Sequence, residues 1–113
     1  ATKGKRPVIA VAGDGGFAQY MAELTTSVKY NTDIKLILLN NSELGKISKE
    51  QRAGGFDTFA TDLHNPDFAE YAKSCGALGI KVRNKNDLEN AVKKTLNHKG
   101  SALLEIITDV TLI

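Results

Sequence analysis

Residues Val8 to Gly16 read VIAVAGDGG. A short apolar run ended by glycines around an aspartate predicts a buried strand that runs into a glycine turn. Beyond the turn, Phe17, Met21, Leu24 and Val28 recur at i, i+4, i+7 and i+11. That spacing marks one face of a single helix, expected to run to about Tyr30. Asn31-Thr32-Asp33 breaks it, and Ile34 to Leu39 (IKLILL) predicts a second apolar strand closed by Asn40-Asn41. Strand, glycine turn, helix and strand make one parallel crossover unit.

The remainder continues in kind. A short helix is expected around Leu44 to Arg52, then an aperiodic loop from Ala53 to Asn65 (AGGFDTFATDLHN). Asn65-Pro66 predicts a helix start, with Asn65 as N-cap and Pro66 in the first helical position. Its apolar face is Phe68, Tyr71, Ala72 and Cys75, and Gly76 ends it. Ile80 to Val82 predicts a third strand. Asn86 caps a further helix, with Glu89 placed as in a capping box. Leu88, Ala91, Val92, Thr95 and Leu96 line it, Gly100 stops it, and Ala102 to Ile107 predicts a fourth strand. The order β-α-β-α-α-β-α-β argues an α/β fold: an open parallel sheet of about four strands, flanked by helices with right-handed crossovers. No repeat or linker divides the 113 residues.

Composition narrows the function classes. Hydrophobic residues are 42% and charged residues 25%, near the globular average. A net charge of +2 is too mild to argue for nucleic acid or an anionic membrane. No apolar run approaches the roughly 20 residues of a bilayer span, and the start, ATKGKRP, lacks the apolar core of a signal peptide. One cysteine excludes an internal disulfide framework, and two histidines exclude a His-rich metal site. A cytoplasmic, reducing setting is expected. Cys75 reads as a packed thiol, and His64 and His98 as surface or capping residues. Tyr20, Tyr30 and Tyr71 form no stacking platform, and Asp57, Asp62 and Lys49 suggest no assigned role.

The glycine turn carries the functional signal. A helix N-terminus presents unpaired N–H groups, and glycine lets an anion reach them. Gly13-Asp14-Gly15-Gly16 therefore predicts a phosphate-bearing ligand, against the bland reading of a tight turn. Gly13-x-Gly15-x-x-Ala18 also satisfies a dinucleotide pattern. That reading wants an acidic residue after the second strand, where Asn40-Asn41 stands. It also leaves the Asp14 carboxylate facing a diphosphate. A divalent cation between the two resolves both objections, since magnesium is commonly shared by carboxylates and substrate phosphates. Neighbouring parallel strands end on the same edge of the sheet, so Asn41 can join Asp14 there, with a backbone carbonyl just beyond as a third ligand.

Gly13-Asp14-Gly15, the intervening segment 16–39, and Asn40-Asn41 resemble the thiamine-diphosphate motif: GDG, a spacer of twenty-odd residues, and NN. The stretch from Val8 to Gln51 resembles the diphosphate-binding domain of the pyruvate oxidase and acetolactate synthase family. Ala53 to Val82 is closer to the pyruvate oxidase and quinone-linked pyruvate dehydrogenase branch. The resemblance spans about Arg6 to Ile107. It implies that Asp14 and Asn41 are magnesium side-chain ligands and that Glu43 completes the site through its backbone carbonyl. It implies that Gly13, Gly15 and Gly16 meet the diphosphate and that Leu44 and Gly45 lie beside the cofactor. Glu50 falls on a carboxylate found near the substrate and is the candidate catalytic residue. Its bland reading is an exposed helix residue. Lys46 departs from the family, which usually has an aromatic or aliphatic residue there.

The resemblance further implies a larger protein. Family members have three domains, and residues 1–113 resemble only the last part of the third, a single partial domain lacking its first strand and helix. The glutamate that activates the cofactor lies on the N-terminal domain of a partner subunit. Any FAD site lies in an absent middle domain. Such enzymes decarboxylate a 2-oxo acid such as pyruvate, with the cofactor as electron sink. Cofactor anchoring in such an enzyme is the expected function. Pyruvate oxidase or quinone-linked dehydrogenase comes first, the latter peripheral at the membrane. Acetolactate synthase is the alternative, with a non-catalytic dinucleotide module as the rival class. The isolated chain is expected to have no turnover, and an uncovered sheet edge is expected to favour a homo-oligomer.

Overall fold

A computed structural model describes residues 6–112. Four parallel strands form one sheet in the order β1-β2-β4-β3: β1 (Val8–Gly13), β2 (Ile34–Asn40), β3 (Leu78–Val82) and β4 (Ala102–Ile107). The helices are α1 (Asp14–Ala18), α2 (Glu23–Lys29), α3 (Gly45–Ala53), α4 (Phe68–Ser74) and α5 (Lys85–Asn97), and a 3-10 turn follows at Val110–Leu112. The parallel α/β architecture read from the sequence is the one observed.

Alternation along the strands sorts the core into two layers. Leu36 and Leu38 of β2 and Leu103 of β4 point to one face, where they pack with Leu24, Phe68 and Ala72 from α2 and α4. The Phe17 and Phe68 rings meet edge to face at 5.6 Å between centroids. Leu104 and Val82 point to the other face and pack with Ala91 of α5. Cys75 packs, half-buried, against the first layer, as expected of a structural thiol. His98 is the C-cap residue of α5.

Three local readings need correction. The apolar stripe from Phe17 to Val28 spans two helices, α1 and α2. Between them Tyr20 N–H donates to Phe17 O, Glu23 N–H to Tyr20 O and Leu24 N–H to Met21 O, a tighter three-residue step. The Tyr71 hydroxyl also donates to Met21 O at 3.0 Å, so that carbonyl serves a neighbouring helix. The N-cap of α4 is Asp67 rather than Asn65: its carboxylate accepts from Glu70 N–H at 3.0 Å. Asn86 lies inside the first turn of α5, whose N-cap is Asn84.

β1 is not the buried strand its apolar run suggested. It is an edge strand, and Ile9 and Val11 are 51% and 68% exposed. The reason is coverage: α5, the helix on that face, packs against β3 and β4.

Gly79 of β3 marks the closest approach of helix and sheet. A Cβ there would lie 1.9 Å from the Ala69 carbonyl oxygen and 2.8 Å from its carbon. Backbone cannot swing aside as a side chain can, so Gly79→Ala must lift α4 from the sheet. The expected loss is at least the upper part of the roughly 1–3 kcal/mol of ordinary overpacking, read as a lower urea midpoint. An unchanged midpoint would show that α4 moves freely on β3.

The start of α4 rests on an ion cluster that runs from the buried Glu105 out to the exposed Asp67. Glu105 of β4 is fully buried, and its carboxylate accepts from Ala69 N–H at 3.1 Å and from Asn40 Nδ2 at 2.8 Å. Lys81 Nζ lies 3.1 Å from Glu105 and 2.8 Å from Asp67. The hydrogen bond from Lys81, with that from Glu70 N–H, holds the Asp67 carboxyl below its usual range. Burial alone would lower Lys81, but hydrogen bonds and charge from Asp67 and Glu105 more than offset it, and its pKa is raised.

These shifts set a pH window. The Asp67 contribution is fully present above the ordinary carboxyl value near pH 4 and is lost as pH falls through the lowered folded value. The Lys81 contribution is fully present below the ordinary lysine value of about 10.4 and is lost as pH rises through the raised one. Urea midpoints measured from roughly pH 3 to pH 11 should hold a plateau between these limits and fall at both ends. In Lys81→Met the alkaline fall should shrink. An alkaline limb identical to wild type would remove Lys81 from the account.

Candidate functional site

A cleft of about 510 Å³ opens at the carboxyl ends of the strands. Open parallel sheets bind ligands at this edge. Its walls come from the turns that the sequence singled out: Gly13 to Gly16 after β1, Asn41 and Glu43 after β2, and Leu44 to Lys46 entering α3. Thr108, Asp109 and Leu112 close the far side.

Each wall follows from its local chain. Gly13, the N-cap of α1, supplies no side-chain cap, so the first N–H groups of that helix are left for another acceptor. A Cβ at Gly13 or Gly16 would meet open space, whereas one at Gly15 would strike Leu44 Cδ2 at 2.7 Å. Gly15 thus lets Leu44 close on the turn, while Gly16 leaves its backbone approachable. Asp14 is only 3% exposed although it lines the cleft. Asn65 Nδ2 donates to its Oδ2 at 2.6 Å, and no ion pair reaches it among the described residues.

The β2–α3 turn is equally ordered. Asn41 Oδ1 accepts from Glu43 N–H at 3.1 Å, and Asn40 Oδ1 accepts from Ser42 N–H at 3.1 Å. The Glu43 carboxylate is drawn away by the Ser48 hydroxyl and by Arg52, whose Nη1 lies 4.0 Å off. Ala53 ends α3, and the rest of the expected loop, residues 54–65, holds no helix or named strand, yet it is anchored. Leu44 N–H donates to Thr61 O at 2.7 Å and Leu63 N–H to Ser42 O at 2.8 Å. Glu43 and Asp62 form a bridge between them.

The donor set suits a hard cation. Among the described residues no three His, Cys, Asp or Glu side chains gather as a metal site. What the cleft offers instead is one buried carboxylate, the Asn41 amide oxygen and main-chain carbonyls. All are oxygens, the ligand type magnesium takes while keeping positions for water and phosphate. A buried carboxylate without a cation is costly, and Asp14 meets that description.

Of the residues named from sequence, Gly13, Asp14, Gly15, Gly16, Asn41, Glu43, Leu44 and Gly45 meet at the cleft. Lys46 joins them, its ammonium well exposed and 3.9 Å from Glu50. Glu50 does not line the cleft; it lies one turn further along α3, largely exposed. Sequence reasoning passed over Asp109, Leu112 and Asn65. Nothing in the pattern after β4 marks the first two, and Asn65 carried a signal that pointed to a helix cap.

A family model for the C-terminal TPP-binding domain of thiamine pyrophosphate enzymes matches residues 1–106. The chain belongs to this family. Thiamine pyrophosphate is thiamine diphosphate, so the family resemblance of the GDG and NN turns stands and the dinucleotide reading is set aside. YdaP of Bacillus subtilis (strain 168) is 41% identical over 103 residues, covering 91% of this chain and 18% of YdaP. The mitochondrial acetolactate synthase catalytic subunit of Aspergillus candidus is 34% identical over 103 residues, covering 90% of this chain and 15% of the subunit. Among solved structures, the thiamine diphosphate-dependent 4-hydroxybenzoylformate decarboxylase of Rhodococcus jostii RHA1 superposes with a TM-score of 0.85 at 26% identity. It covers 93% of this chain and 20% of its own. The TPP-binding domain described here therefore spans about a fifth or less of the relatives it matches.

Proposed function

We propose that this TPP-binding domain anchors the magnesium-diphosphate end of thiamine diphosphate in an enzyme that decarboxylates 2-oxo acids. The observation that carries the reading is the single cleft that gathers Asp14, Asn41, Glu43 and the glycine turn at the carboxyl edge of the sheet. Asp14 and Asn41 would hold magnesium through side chains, and Glu43 through its carbonyl. Gly15 and Gly16 would donate backbone N–H groups to the diphosphate. Leu44 and Gly45 would flank the cofactor. Bound there, thiamine diphosphate supplies an electron sink for decarboxylation.

The parent reading is a pyruvate oxidase or quinone-linked dehydrogenase, with the activating glutamate from a partner subunit's N-terminal domain. Glu50 is kept as a substrate-side carboxylate that a partner surface would have to bring into use. An isolated domain would then bind without turnover. The exposed Ile9 and Val11 on the edge strand support a covered surface in an oligomer. A second reading, an acetolactate-forming carboligase, is favoured by relatives at 30–34% identity that are named acetolactate synthase.

Titration calorimetry tests the binding claim. Thiamine diphosphate should bind in the presence of magnesium and not in excess chelator, and NAD should not bind with or without the metal. Metal-independent binding would overturn the reading. In a longer enzyme that carries this domain, pyruvate-dependent reduction of a quinone or oxygen supports the first parent, and acetolactate formation the second.

A further inference from the structure

We propose that Asn65 is a positioning residue that sets the spacing and denticity of the metal ligands. The inference rests on the magnesium-binding reading above and extends it to a residue outside the cleft wall. The Asn65 Nδ2 group carries two hydrogens, and both are used. It donates to Asp14 Oδ2 at 2.6 Å and to Asn40 Oδ1 at 3.0 Å. Asp14 stands on the β1–α1 turn, and Asn40 immediately precedes the ligand Asn41 on the β2–α3 turn. One amide therefore ties together the two turns that supply the metal ligands, while touching no ligand of the second turn itself.

The tie is fixed at both ends. Asn40 cannot rotate away, because its Nδ2 donates to the buried Glu105 carboxylate at 2.8 Å and its Oδ1 also accepts Ser42 N–H. Asn65 arrives on a segment pinned beside the same turn, through the Leu63 N–H to Ser42 O bond at 2.8 Å. The chain from Asp14 through Asn65 and Asn40 to Glu105 is thus an unbroken row of hydrogen bonds leading into the core.

The chemistry follows from which oxygen is taken. With Oδ2 held by Asn65, Oδ1 is the oxygen that would be left for a metal, and Asp14 would then serve as a one-oxygen ligand. Magnesium favours such ligation in a tight octahedron, whereas calcium accepts two-oxygen carboxylates and longer, looser shells. Asn65 should therefore favour magnesium over calcium as well as raise affinity. Outer-sphere partners of metal ligands commonly contribute 10–100-fold in metal affinity.

The test measures magnesium and calcium affinity separately, by calorimetry of thiamine diphosphate binding at varied metal. Asn65→Ala should weaken the magnesium-dependent binding about 10–100-fold and the calcium-dependent binding clearly less. Asp33→Ala, at the opposite end of the sheet, serves as a stability control. Asp33 there accepts from Lys35 and from Gly100 N–H, so its loss should lower the melting temperature with the metal preference intact. Unchanged magnesium affinity in Asn65→Ala, or an equal loss for both metals that tracks melting temperature as in Asp33→Ala, would overturn the positioning role. Failure of the wild-type chain to bind thiamine diphosphate with either metal would overturn the underlying reading, and this inference with it.

Discussion

Asp14→Ala is expected to abolish the magnesium-dependent binding of thiamine diphosphate while leaving the unliganded fold as stable as wild type, or more so. The two effects have opposite signs because they come from one feature. The Asp14 carboxylate is nearly sealed from water and, among the described residues, is met by the Asn65 amide and by no ion pair. Burying such a charge costs stability that a bound cation would return. Removing it relieves the unliganded protein and deprives the metal of the one buried carboxylate among the described residues that line the cleft. The loss of metal affinity should exceed the ~10–100-fold seen for outer partners. A melting experiment reads both. At ligand about 100 times its dissociation constant, the wild type gains about 2.7 kcal/mol, equivalent to roughly 10 °C or more for a domain of this size. Asp14→Ala should melt no lower than wild type without ligand, and should gain nothing from magnesium and cofactor together. A retained ligand-induced shift would remove Asp14 from the metal site.

Glu105→Ala is expected to be the most damaging single change to the fold. The residue is fully buried in the central strand and accepts from three different elements: Asn40 at the end of β2, Ala69 in α4 and Lys81 in β3. Deleting it strands the Asn40 and Ala69 donors and leaves the Lys81 ammonium, 19% exposed, with Asp67 alone. Breaking a buried pair from one side costs about 3–5 kcal/mol, a large share of the 5–15 kcal/mol of a typical domain. Glu105→Gln keeps the shape but replaces one acceptor oxygen with a donor, so either Asn40 or the Ala69 and Lys81 pair faces a like group. A loss of about 1–3 kcal/mol is expected there. Urea unfolding of both variants gives the ranking. A loss below about 1 kcal/mol for the alanine variant would mean the cluster is solvated in practice.

How much of this was legible depended on what each residue's pattern reports. The parallel sheet and the cleft-facing glycines were legible because strand runs, turns and the GDG–NN spacing are local signals. The exposure of β1 was not, because VIAVA reads the same whether or not a helix covers it. The break between α1 and α2 was hidden by a stripe that three-residue and four-residue steps both satisfy. Asn65-Pro66 reads as a helix start, yet α4 is capped by Asp67. The choice of Asp67 frees the Asn65 amide for Asp14, a contact across 51 positions that no local pattern encodes. Buried Glu105 and Lys81 were likewise invisible, since ALLEII and IKV show a charge in a strand without showing its partner.

The strand order has a consequence in time. β4 is the last made of the four described strands, yet it lies between β2 and β3 and hydrogen-bonds to both. Until it emerges from the ribosome, the half bearing the glycine turn and the half bearing α4 have no common strand to join them. It also brings Glu105, which begins the hydrogen-bonded row toward Asn65 and Asp14. The cleft is therefore finished late in synthesis. A nascent chain arrested before Ala102 would leave β2 and β3 with open edges facing each other, the kind of exposure that chaperones act on.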